Sequence, residues 1–217
     1  MLSLKSAIYD LQTYDVETLS ELNNYYNYLV GQVKASKEKL LKLYLKKYIE
    51  LLQIEPIKNC DINLNWINPY YSDPINAFSM KNLVTVYFEK NLQCNIALVS
   101  DGYIAQCQKT ELPLGKYIVY DNSLYFYQEQ DYAILDLHKS YKRVGKINLS
   151  AQPSKTIDQY GSEKMYFSFD LVKLNYQHCK QYNQWYVYTY HQNKPAILTQ
   201  TPEMYSKKFV VVMPIII

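Results

Sequence analysis

Apolar side chains recur along the first quarter of the chain at Leu19, Leu22, Tyr26, Leu29, Val33, Leu40, Tyr44, Tyr48 and Leu51. Steps of three, four and seven put them on one face of a helix. The pattern predicts a helix over 16–53, N-capped by Asp15, with Glu17 and Glu21 near its positive end. Pro56 stops it. Unbroken, it would run roughly 57 Å at ~1.5 Å per residue. Gly31 is the place where it would kink or split into a helical hairpin, and a short helix over 3–12 is open upstream. A stripe that long outruns a sheet whose strands span about 20 Å. The surplus must meet its own folded-back half, a second copy of the chain, or a partner.

Residues 57–81 are rich in Asn and Pro, as in Asn68-Pro69-Tyr70-Tyr71-Ser72-Asp73-Pro74, and read as a connector. From 82 the period changes to two. Strands are expected at 83–89, 94–100, 103–109, 117–120, 124–128, 132–136, 146–149, 165–172, 185–190, 196–199 and 209–213, with 150–164 a surface loop. The short intervals favour antiparallel pairing as a meander, sandwich or open barrel. The expected class is α+β: a helical region over 1–56, a connector over 57–81 and an antiparallel β-rich domain over 82–217.

Two hairpins can be laid out residue by residue. A two-residue turn at Asp101-Gly102 pairs Ser100 with Tyr103, Leu98 with Ala105 and Ile96 with Cys107. Cys94, Ile96, Leu98, Tyr103, Ala105 and Cys107 then form a dry face, and Gln93, Asn95, Ala97, Val99, Ile104, Gln106 and Gln108 a mostly wet one. Cys94 and Cys107 become diagonal neighbours, too far apart for an unstrained disulfide. A register shifted by two would bring them opposite each other. The second hairpin turns at Asp121-Asn122, with Tyr117, Val119, Leu124 and Phe126 as its core face. Ile118, Tyr120, Tyr125 and Tyr127 form a tyrosine surface. The split recurs where Trp185 and Val187 alternate with Tyr186, Tyr188 and Tyr190.

Composition narrows the function classes. The 217 residues carry a net charge of only +3, and the cations are almost all lysine. A duplex-DNA binder carries a denser basic footprint, usually with arginine. Abundant Tyr, Lys, Asn and Ile with scarce Gly and Arg also fit an AT-rich genome. The four cysteines form no CxxC. The N-terminus lacks the apolar core of a signal peptide, and no apolar run reaches the ~20 residues that span a bilayer. The expected setting is the cytoplasm, host cytoplasm if the protein is viral, with reduced thiols and no membrane partner.

Candidate chemistry is thin. His138, His178, His191 and Cys179 lack the short paired spacing of metal ligands, so no metal is expected, and no cofactor either. A Cys179–histidine nucleophile pair has no flanking signature. Asp131 and Asp136 could anchor a metal-dependent nuclease, but their spacing to Lys139 does not match the common core of such enzymes. Five glycines leave little room for phosphate-cradling loops. The C-terminal run 209–217 reads as a core strand or as a docking strand for a neighbour's sheet edge.

The sequence therefore leans away from an enzyme. It favours a protein–protein interaction or assembly protein, of the kind found as phage or mobile-element accessories. The N-terminal helix would join copies or clasp a partner. The binding residues are Tyr120, Tyr125, Tyr127, Tyr186, Tyr188 and Tyr190, with Lys39, Lys42 and Lys46 beside them. A single-stranded nucleic-acid binder stacking bases on Tyr125, Tyr127, Tyr186, Tyr188 and Tyr190 is the alternative.

Overall fold

A computed structural model describes residues 1–34, 38–64, 83–100, 104–129, 134–135, 142–148, 184–189 and 195–213. Three helices come first: α1 (Leu4–Thr13), α2 (Leu19–Gln32) and α3 (Glu38–Leu52). The strands follow: β1 (Leu83–Glu89), β2 (Cys94–Ser100), β3 (Ile104–Thr110), β4 (Gly115–Tyr120) and β5 (Ser123–Glu129). Then come β6 (Ile134–Leu135), β7 (Lys142–Asn148), β8 (Gln184–Thr189), β9 (Ala196–Thr199) and β10 (Lys208–Val212). The class is α+β, as the change of period from helical to alternating implied.

The chain divides into two compact units. The first holds the described residues of 1–60, 83–84 and 115–129, that is, the helices with the β4–β5 hairpin. The second holds those of 61–64, 85–114 and 134–213.

In the helical unit the expected 16–53 helix is two helices, the hairpin alternative. The break falls after Gln32 rather than at Gly31, which stays inside α2. The start also moves. Thr18, not Asp15, caps α2 through a reciprocal box: the Glu21 N–H donates to Thr18 Oγ1 at 3.2 Å and the Thr18 N–H to Glu21 Oε2 at 3.1 Å. A Thr-x-x-Glu box satisfies two orphan donors at once, which a lone aspartate cannot do. Ser3 caps α1 by accepting from the Ser6 N–H. Past α3, Gln53 turns into the left-handed region (φ 54°).

The apolar stripe is consumed within this unit. Leu22, Tyr26, Leu29, Val33, Leu40, Tyr44 and Tyr48 are all buried, together with Ala7 and Leu11 of α1 and Ile118 of β4. Folding back into two helices plus α1 covers the ridge that seemed to need a second copy. The physical argument for assembly through that stripe is removed.

The β4–β5 hairpin forms at the expected place. Tyr120 pairs with Ser123 across Asp121 (φ 48°) and Asn122 (φ 57°), two left-handed residues as a type I′ turn requires. Tyr117, Val119 and Leu124 are buried, as expected of the core face. Gly115 sits where a Cβ would lie 2.7 Å from the Phe126 ring and 2.8 Å from the Gln128 carbonyl oxygen.

In the second unit the hydrogen-bonded order is β1-β2-β3-β10-β9-β8-β7, antiparallel throughout, with the short β6 parallel to β1. The β2–β3 register differs from the expected one by two residues: Ser100 pairs with Ala105, Leu98 with Cys107 and Ile96 with Lys109. The Asp101-Gly102 turn itself lies outside the described residues. An even shift preserves the faces but carries Cys94 further from Cys107, and both thiols are free. The expected wet face is buried at Ala97, Val99, Gln106 and Gln108, which are 0–3% exposed, while Asn95 is half-buried and Gln93 exposed. Gln108 belongs there because its amide clasps the start of the connector. It donates to the Asp61 carbonyl at 2.8 Å and accepts from the Asn63 N–H at 3.1 Å. Asp61 in turn accepts from the Thr110 hydroxyl and the Glu111 N–H. The C-terminal run forms β10 between β3 and β9 of its own chain, so its described part is a core strand and not a docking strand. The expected strand at 165–172, the loop at 150–164 and Pro214 with the terminal isoleucines lie outside the described residues.

Candidate functional site

The predicted tyrosine surface of the hairpin faces the helices. Ile118 is fully buried in the helical core, and Tyr120, Tyr125 and Tyr127 pack against it half-buried. The ring of Tyr127 lies 6.0 Å from that of Tyr48, and the two side chains share a hydrogen bond. Behind them Tyr48, Tyr44 and Tyr26 continue as a row of rings, with centroids 5.7 Å and 4.4 Å apart. The Tyr44 hydroxyl donates to Asn23 Oδ1. The Tyr26 hydroxyl is buried with no hydrogen-bond partner among the described residues. Burial drives the ionisation of Tyr26, Tyr44 and Tyr48 far above the usual phenol range. This row therefore stays neutral and serves packing.

Lys39, Lys42 and Lys46 are exposed on α3. Lys42 reaches Glu38 at 2.9 Å and Lys46 reaches Glu50 at 3.7 Å, each four residues along the helix. Such exposed pairs are worth a few tenths of a kcal/mol and leave the charge in water. Lys42 and Tyr120 do come together. With Asp121 and Asn122 they line a cavity of about 270 Å³ beside the hairpin turn.

In the second unit Tyr188 is a core residue, 7% exposed, with its hydroxyl donated to the Pro202 carbonyl. Its ring lies in a core cluster with Ile96, Cys107, Ile197 and Phe209. Tyr186 is half-buried, and the Arg143 guanidinium sits 5.8 Å from its ring centre. Tyr190 lies outside the described residues, as do Asp131, Asp136, His138, His178, Cys179 and His191. No group of three metal-ligating side chains occurs among the described residues. No described helix is long and apolar enough to cross a membrane.

A surface missed by the sequence reading lies on the outside of the helical unit. Tyr14, just past α1, stacks on Tyr25 of α2 at 3.8 Å between ring centres, with planes 21° apart. Tyr25 continues to Tyr28 at 6.3 Å. Tyr14 and Tyr28 are 38% and 58% exposed, and Tyr9 of α1 is 65% exposed. Lys47 of α3 holds the Tyr14 end by donating to its carbonyl at 2.7 Å. Partial burial raises the Tyr25 ionisation, with Asp10 adding to it, so the Asp10 carboxylate acts on the Tyr25 phenol. The available signal was a tyrosine pair three residues apart on α2, off the buried stripe.

No family model and no curated protein matches the chain. Solved structures give distant likenesses. One is the DNA polymerase III subunit beta of Borrelia burgdorferi in complex with a natural product: 11% identity over 62% of this chain and 56% of that one, TM-score 0.36. Another is the DNA polymerase sliding clamp of Pseudomonas aeruginosa: 9% identity, 64% and 59%, TM-score 0.38. A third is the Helicobacter pylori beta clamp bound to a DNA ligase peptide: 11% identity, 63% and 57%, TM-score 0.35. The chain spans a little over half the length of these proteins, and likenesses at such scores carry no argument about what it does.

Proposed function

We propose that the chain is a non-enzymatic protein-binding module whose helical unit meets a protein partner through outward-facing tyrosines. The observation that supports this is the stacked Tyr14–Tyr25–Tyr28 row, exposed at both ends. Half-buried Tyr25 packs on the core that Tyr26, Tyr44 and the leucines fill, whereas Tyr14 and Tyr28 are not part of that core. Stacking holds them in place before any partner arrives, so little side-chain entropy is left to lose on binding. Tyrosine offers a large apolar face with a polar tip, the combination enriched at protein interfaces. The thiols of Cys94 and Cys107, in no disulfide among the described residues, fit a reducing compartment, which makes the cytoplasm part of the same proposal.

The test is affinity capture from the host's own lysate, using wild type and the Tyr14→Ala/Tyr28→Ala variant side by side. The reading expects a protein retained by wild type and lost by a variant with an unchanged circular dichroism spectrum. Identical capture profiles overturn it.

A second reading, single-stranded nucleic-acid binding, is favoured by the cavity that Lys42 and Tyr120 share. It expects an oligonucleotide mobility shift that weakens with salt and with Lys42→Ala. No shift at low salt removes it.

A further inference from the structure

Charge is divided unevenly along the helical unit. Between residues 6 and 33 the chain carries Asp10, Asp15, Glu17 and Glu21 and no lysine or arginine. Between 34 and 47 it carries Lys34, Lys37, Lys39, Lys42, Lys46 and Lys47 against Glu38 alone. The exposed tyrosine row belongs to the acidic stretch. Asp10 acts on the Tyr25 phenol, and Asp15 directly follows Tyr14. Glu21 is one turn before Tyr25 on α2, where its carboxylate also accepts the Glu17 and Thr18 N–H groups. Lys47 is already committed to the Tyr14 carbonyl.

We infer that the Tyr14–Tyr25–Tyr28 face docks a basic segment of a protein partner, seating arginine or lysine side chains on the tyrosine rings with their charges toward Asp10 and Asp15. The inference rests on the protein-binding reading above and gives its partner a chemistry. Two independent features select the same ligand. An aromatic face attracts a cation through its ring quadrupole. Carboxylates within a Debye length steer cations in and turn phosphates and acidic peptides away. A flat guanidinium suits a ring stacked as Tyr14 is on Tyr25, because it can lie parallel to the outer face. Nucleic acid is disfavoured at this face for the same electrostatic reason, whatever the cavity at Lys42 binds.

The experiment maps amide shifts of the full-length, isotope-labelled chain. The probe is a short alternating arginine–serine peptide, compared with the same peptide bearing neutral citrulline. The expected result is saturable shifts confined to residues 9–28 with the arginine peptide and none with citrulline. Tyr28→Leu should weaken binding about two- to five-fold, the scale of one exposed cation–π contact. Asp10→Asn/Asp15→Asn should weaken it and flatten its salt dependence. Tyr28 and Asp15 are exposed and Asp10 is half-buried, and both sets of changes leave the Thr18–Glu21 cap intact. Equal binding of both peptides, shifts at Lys39–Lys46, or a preference for oligothymidylate at this face overturns the inference. Should the peptide fail while capture from lysate still depends on Tyr14 and Tyr28, the cationic partner is wrong and the protein-binding reading stands. Should both fail, both readings fall.

Discussion

The buried hydroxyl of Tyr26 makes a sharp prediction about the helical core. Its side chain is 0% exposed, its ring packs 4.4 Å from that of Tyr44, and its oxygen has no hydrogen-bond partner among the described residues. In the unfolded chain that oxygen is hydrated. Leaving a buried hydroxyl unsatisfied costs about 1–3 kcal/mol. Tyr26→Phe removes the penalty and keeps the ring, at the expense of a one-oxygen void worth about a few tenths of a kcal/mol. The variant should therefore be more stable by about 1–2.5 kcal/mol. For a chain of this size that raises Tm by roughly 2–8 °C. Urea unfolding followed at 222 nm reads the helices directly. Tyr44→Phe is the contrast: it deletes a donor to Asn23 Oδ1 and should destabilise by about 1 kcal/mol. If Tyr26→Phe lowers the midpoint as Tyr44→Phe does, the Tyr26 hydroxyl has a partner and the reasoning is refuted.

Three further outcomes follow from the same geometry. Tyr26, Tyr44, Tyr48 and Tyr117 all have ionisations raised by burial, Tyr117 to about 12, against about 10 in the unfolded chain. Their contribution is complete below pH 10 and is lost as pH rises through the folded values, because only the unfolded state releases those protons. The phenolate absorbance of the buried rings should accordingly appear together with loss of helix above pH 10, and a full tyrosine titration with intact circular dichroism would contradict it. Gly115→Ala should destabilise by about 1–3 kcal/mol in urea, since its Cβ would meet the Phe126 ring at 2.7 Å and a backbone carbonyl oxygen at 2.8 Å. Gln108→Leu should cost about 1–3 kcal/mol and speed exchange of the Asn63 amide, whose buried acceptor is lost.

Local chemistry is what the sequence made legible. Asp121-Asn122 needs left-handed backbone at two adjacent positions, so turn and faces could be read together. The helical stripe was also legible, because each of its residues is chosen by burial on one side. Harder to read were the features set by residues distant in the chain. Gln108 looks like a solvent position until the Asp61–Asn63 segment, more than forty residues earlier, clasps its amide. The stripe seemed to outrun its support because nothing local says that the chain turns after Gln32 and folds back. For the site, Lys42 and Tyr120 were named separately as binding candidates, and that they line one cavity was not legible, because no spacing rule relates a helix to a turn. The outer row was missed because Tyr14 and Tyr25 belong to different elements, and only their packing stacks them.

Amide hydrogen exchange of the full chain, alone and with the protein captured through Tyr14 and Tyr28, bears most directly on the binding face. The account predicts slowed exchange concentrated in residues 9–28, with the β2–β3 and β8–β10 amides unchanged. Slowed exchange centred on the strands, with 9–28 unaffected, would contradict it.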